Sequence, residues 1–180
     1  MRVSILLLLV LLVPSRPSHA QVDLAGEWGP RNYNTHVDIG DYTGMPINEE
    51  GRMRAMAWHP DQLDLPENLC RPHPIDHGLR VSPSQLRITN EFDPETRRPV
   101  GVRLLVAWQE PQQVIYTDGR PHPSPNAPHK WSGFSTGRWD RNTLVYTTTH
   151  LKEAYLSRNG VPKSVKSEVT TRIHRYGDLL

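Results

Sequence analysis

Three stretches of the 180-residue sequence carry residue types at spacings that can do chemistry. The first is Cys70-Arg71-Pro72-His73-Pro74-Ile75-Asp76-His77. Zinc takes sulfur, imidazole and carboxylate ligands in a tetrahedron, so Cys70, His73 and His77 are candidate metal ligands, with Asp76 beside them. Against this, known zinc patterns pair two such clusters, and a second is not evident here. Pro72 and Pro74 also deny the stretch a helix that would align His73 with His77. The expectation is therefore a Pro-rich loop crossing the mouth or floor of a β-structure and no cofactor, with zinc as the alternative. Cys70 is the single thiol, so no intrachain disulfide forms, and burial as a small hydrophobe is its ordinary fate.

The second stretch is Asp118-Gly119-Arg120-Pro121-His122-Pro123. Asp118, Arg120 and His122 can supply a general base, an anion clamp and a proton shuttle from one turn. A purely structural reading has Asp118 bonding its own turn, Gly119 at positive φ and two prolines stiffening the exit. The third stretch, Gly133-Phe134-Ser135-Thr136-Gly137, matches the G-x-S-x-G nucleophile elbow by letter. That motif needs a strand-to-helix turn, whereas Arg138-Trp139 and a hairpin loop follow here. Asp140 is too close to serve as the acid partner. The glycines are better read as sites of close approach on a strand.

Five tryptophans stand at 28, 58, 108, 131 and 139. Trp on strands usually fills core, but a row of them inside a barrel lines an apolar pocket. Trp108, Trp131 and Trp139, with Arg120 and His122, are the candidate ligand-binding residues. Trp131 and Trp139 share a face if one unbroken strand carries both.

The elements that must position these residues are mostly strands. Residues 48–58 read as a helix, with Asn48 as cap, Glu49 and Glu50 at the positive end, and Met53, Met56 and Ala57 on one face. A Pro-rich loop follows over 66–83. Alternation predicts strands at 84–92, 100–108, 113–116, 134–139, 144–149 and 168–176, with a four-residue hairpin loop at 140–143. Short strands joined by turns predict a mainly β fold, an antiparallel meander closing into a barrel, a lipocalin-like partial barrel or a sandwich.

Met1-Arg2, an apolar run to Val13 and Ser18-His19-Ala20 read as a signal peptide over 1–20, cleaved before Gln21. The expected location is periplasmic or secreted. With no Cys directly after the apolar run, no lipoprotein anchor is expected, nor a membrane span after cleavage. Residues 21–83 and 84–180 read as two parts of one domain. The formal charge of +2 falls to zero once Arg2 and Arg16 leave, which excludes a strongly basic nucleic-acid binder. Gly177-Asp178 reads as a turn, with Leu179-Leu180 opening a return strand. The chain is thus expected to be cut short at its C-terminus, or to have the missing strand supplied by a partner, including a second copy paired edge to edge.

Several segments together resemble an uncharacterised family of exported bacterial β-rich proteins. They are Asp41-Tyr42-Thr43-Gly44-Met45-Pro46-Ile47-Asn48, the stretch from Cys70 to His73, Tyr116-Thr117-Asp118-Gly119-Arg120-Pro121-His122-Pro123, Trp131-Ser132-Gly133-Phe134-Ser135-Thr136-Gly137-Arg138-Trp139, Thr147-Thr148-Thr149-His150-Leu151-Lys152 and Arg158-Asn159-Gly160-Val161-Pro162-Lys163-Ser164. The resemblance brings no reaction, substrate or cofactor with it. The family usually has a Glu-Gly-Asp-Thr type turn where this chain has Asp140-Arg141-Asn142-Thr143, and it generally continues past the position of Leu180. Two expectations follow. One is a non-catalytic exported domain that binds a small apolar or aromatic ligand or an envelope protein. The other is an exported, metal-assisted enzyme joining the 118–122 loop to the 70–77 cluster.

Overall fold

The computed structural model describes residues 22–31, 42, 44–59, 61–62, 65–66, 74–81, 84–108, 110–156 and 159–180. The proposed leader and the candidate ligands Cys70 and His73 lie outside these residues. In chain order the elements are β1 (Gly26–Trp28), α1 (Glu49–Met56), α2 (Ile75–Val81), β2 (Leu86–Phe92), β3 (Pro99–Val106), β4 (Gln112–Tyr116), β5 (Phe134–Asp140), β6 (Thr143–Thr149), β7 (Ala154–Tyr155), β8 (Pro162–Lys163) and β9 (Val169–His174). Seven strands form one sheet in the order β1-β2-β3-β4-β5-β6-β9, curled into a half-barrel. The fold is mainly β, a partial barrel. Among the described residues no helix is long and apolar enough to cross a membrane.

Alternation along the strands sorts the two faces. Ile88, Val102, Leu104, Val106, Ile115, Leu144, Tyr146 and Ile173 point into the concave side and pack with Leu24 and Ile75 as one core. Removing this apolar surface from water is the main force that curls and holds the sheet. Gly101 lets β3 and β4 close up, since a Cβ there would sit 2.2 Å from the Ile115 carbonyl oxygen. Asp93 organises the β2–β3 turn by accepting from the Thr96 amide at 2.7 Å and its hydroxyl at 2.8 Å.

Four features depart from the sequence reading. The meander is not antiparallel throughout: β4 and β5 run parallel, with Ile115 beside Ser135 and Tyr116 beside Thr136. Parallel neighbours require a long crossover, and residues 117–133 supply it. The expected Pro-rich loop contains α2, because Pro74 lies just outside the helix while its carbonyl accepts from the His77 and Gly78 amides. The hairpin after β5 is tighter than four residues, since Asp140 pairs with Thr143 and only Arg141 and Asn142 turn. Finally, α1 buries Ala55, followed by Trp58, and leaves Met53 and Met56 58% and 72% exposed. Gly160 makes that packing possible, as a Cβ there would meet the Trp58 Cβ at 2.6 Å.

A second layer is tied to the barrel by charge. Lys163 of β8 is buried, and its Nζ donates to Asp76 Oδ1 of α2 at 2.6 Å. The last strand, β9, pairs with β6 over six residues in continuous register and forms one edge of the sheet. Just beyond it, Leu179 bridges back to Tyr176.

Candidate functional site

The crossover from β4 to β5 returns over the convex face and gathers three distant segments at one corner. Tyr116 and Thr136 are register partners, as are Phe134 and Thr149, so all four project from the same side of the sheet. His122 lies on them. Its Nε2 is 2.8 Å from Thr136 Oγ1, its Nδ1 is 3.0 Å from Thr149 Oγ1, and its ring meets Phe134 edge-on at 5.9 Å. Thr149 Oγ1 also lies 2.8 Å from His150 Nδ1, and His150 Nε2 lies 2.9 Å from the Ser124 carbonyl. His150 adopts φ +55, the left-handed conformation that turns its ring back over the crossover. His129 adds a second anchor through the Leu151 carbonyl, with its ring 5.4 Å from that of His150.

One backbone carbonyl orders this chain of hydrogen bonds. A carbonyl only accepts, so His150 Nε2 carries the hydrogen directed at Ser124. In the neutral ring, His150 Nδ1 then accepts from the Thr149 hydroxyl. That hydroxyl, its one proton spent, accepts from His122 Nδ1, and His122 Nε2 accepts from the Thr136 hydroxyl. A hydroxyl donating to an imidazole has the polarity of a nucleophile and its base. Thr136, however, stands inside β5 between β4 and β6, where backbone donors serve the ladder instead of an oxyanion.

Asp118 and Arg120 form the neighbouring wall. Arg120 Nε and Nη2 grip the Asp118 carboxylate, with Nη2 to Oδ2 at 2.5 Å, and the guanidinium carbon lies 3.7 Å from the Tyr116 ring centroid. Tyr116 stacks in turn on Phe134 at 5.5 Å. The side-chain hydrogen bond from Arg120 holds the Asp118 carboxyl below the usual carboxylate range, and the same bond raises the guanidinium. Asp118 is therefore a committed anion and not a free base.

The other candidates are dispersed. Trp131 lies just before β5 under the Lys152 ammonium, 5.0 Å from its ring centroid, and Trp139 lies at the far end of that strand. Gly133, at φ +62, breaks the extended run between them, so the two do not share one unbroken strand. Trp108 stacks on buried His77 at 6.2 Å on the concave side. The sheet separates His77 from His122, so a single ion does not join those two residues. Among the described residues no group of three or more His, Cys, Asp or Glu side chains is arranged to hold a metal. Ser135 of the G-x-S-x-G match is fully buried, 2.7 Å from both Gln113 Nε2 and Thr148 Oγ1, where it closes a core polar triad out of reach of substrate.

Sequence reasoning picked Asp118, Arg120 and His122, which do share this corner, but missed Thr136, Thr149, His150, His129 and Ser124. The Thr147-Thr148-Thr149-His150 run held the available signal: alternation must send Thr149 to the face opposite Thr148. Comparison with protein-family models, curated proteins and solved structures finds no match for this chain.

Proposed function

We propose that the histidine corner is a non-catalytic binding site for a small ligand with an aromatic or apolar body and an anionic group, carried by a protein exported to the periplasm or beyond. The observation that carries this reading is Arg120, whose guanidinium carbon lies 3.7 Å over the centre of the Tyr116 ring and which Asp118 holds there from the side. A guanidinium fixed in this way has already lost its rotamer freedom, so a ligand does not bear that cost on binding. Its Nη1 edge lies outside the grip of Asp118, and its outer face suits a planar group. Phe134 and His122 extend the wall with half-buried apolar surface. Both His122 nitrogens are engaged by hydroxyls, which favours holding a ligand over moving its protons.

Titration calorimetry with a panel of aromatic carboxylates and their neutral amides tests the proposal. Binding of a carboxylate that weakens at least about tenfold in Arg120→Ala, and likewise in the amide analogue, supports it; tenfold corresponds to one charge-assisted hydrogen bond. Binding equal in wild type and Arg120→Ala, or equal for acid and amide, refutes it.

A further inference from the structure

The described sheet has two edges, and only one is long enough to pair. β1 offers three residues, whereas β9 offers six with no proline or bulge; only past its end does a charge turn inward, Arg175, which donates to the Asp23 carbonyl at 2.9 Å and lies over Trp28 of β1. On β9 and just before it, the even-numbered residues Glu168, Thr170, Arg172 and His174 are exposed. Among the described residues neither Glu168 nor Arg172 forms an ion pair. Val165, just before the strand, and Tyr176, Leu179 and Leu180, just after it, account for half of the large hydrophobic side chains exposed among the described residues.

We infer that β9 is a self-association edge: two copies of this chain pair β9 with β9, antiparallel, about a two-fold axis at Thr170. Directly opposed residues in an antiparallel pair project to the same side, so this register keeps both concave faces on one side. It sets Glu168 of each copy against Arg172 of the other, giving both charges the ion-pair partner that the described residues of one copy do not supply. The neighbouring even register sets Glu168 against His174 and leaves Arg172 against Thr170. Exposed Val165 lies just before β9 and exposed Tyr176, Leu179 and Leu180 just after it, so apolar side chains flank the paired edge at both ends. A second copy therefore satisfies the edge backbone groups and the two charges together.

Sedimentation equilibrium on the full chain tests this with two single variants, Glu168→Arg and Arg172→Glu. Wild type is expected to show a concentration-dependent dimer, and each variant alone to dimerise about tenfold more weakly, because it places like charges opposite one another twice. An equimolar mixture of the two variants regains the dimer. In the mixed pair the two substituted positions face each other with opposite charge, and the unsubstituted Arg172 of one copy meets the unsubstituted Glu168 of the other. This mixing readout is independent of any folding defect in one variant. A wild-type chain that stays monomeric across the micromolar range overturns the inference. So does a mixture that associates no better than its components.

Discussion

Tyr146 holds its phenol inside the half-barrel, and burial pushes its ionisation up to about 12, against a smaller opposing effect from its hydrogen bond to Thr171. The folded state therefore keeps the proton that the unfolded chain releases near pH 10. Tyr146 has no effect below pH 10; from pH 10 to 12 it makes stability fall, by about 3 kcal/mol for two units at ~1.4 kcal/mol each. Urea unfolding of wild type and Tyr146→Phe between pH 9 and 12 should show a gap that changes with pH only in that window. Asp118 behaves oppositely. With its carboxyl lowered chiefly by Arg120, its contribution is present above the ordinary value of 3.8 and is lost as pH falls through the folded value. Arg120→Ala should move the Asp118 titration followed by NMR upward, toward 3.8. The bond of Asp118 to its own turn was legible in the sequence, and its carboxylate does accept from the Arg120 amide at 3.2 Å, but the ion pair with the Arg120 side chain was not, since that sequence pattern equally suits an arginine that clamps an anion from elsewhere. His122 was legible as chemistry but not as geometry, since its partners are 14 and 27 residues away on two different strands.

At the scale of elements, alternation located the strands well because each has one wet and one dry face. It misplaced the helical faces: Met53 and Met56 suit a buried stripe by type, but only Gly160 leaves room for one, and that room falls at Trp58. Helix α2 escaped notice because Pro74 looks like a breaker, yet a proline is harmless at a helix start. The β5–β6 turn is shorter than its polar run suggests, because Asp140 and Thr143 at its ends belong to the ladder. Within it Arg141 takes φ +55, a conformation that costs a side-chain-bearing residue about 1 kcal/mol. Arg141→Gly relieves this and raises the flexibility of the unfolded chain, so a net gain of roughly 0.5 kcal/mol is expected in thermal unfolding. Arg141→Val should instead lose stability, since β-branching disfavours that backbone region further.

For the whole molecule, the Lys163–Asp76 pair joins two layers across 87 residues of sequence. Lys163 is 2% exposed, so removing only its partner strands a charge in the interior. Asp76→Ala should cost ~3–5 kcal/mol in urea unfolding, while Asp76→Leu with Lys163→Met recovers most of that loss. Pairing of this range, like the parallel contact of β4 with β5, leaves no periodic trace in a sequence. The length of the 117–133 segment was the one available hint, because a hairpin does not need so many residues.

That parallel contact also orders events in time. Strands β1 to β4 form one run of sequence neighbours, and β5, β6 and β9 form another. The β2–β3, β3–β4 and β5–β6 ladders close over short loops, whereas β1–β2 and β6–β9 span longer segments. Joining them requires the crossover to fold back first, a closure that local contacts do not reward. The histidine corner is built from both runs, so it exists only after they dock, and it assembles with that seam instead of nucleating the local ladders. Mutations at Thr136 or Thr149 should then speed unfolding and leave the folding rate nearly unchanged, which stopped-flow kinetics would display in one arm of the chevron.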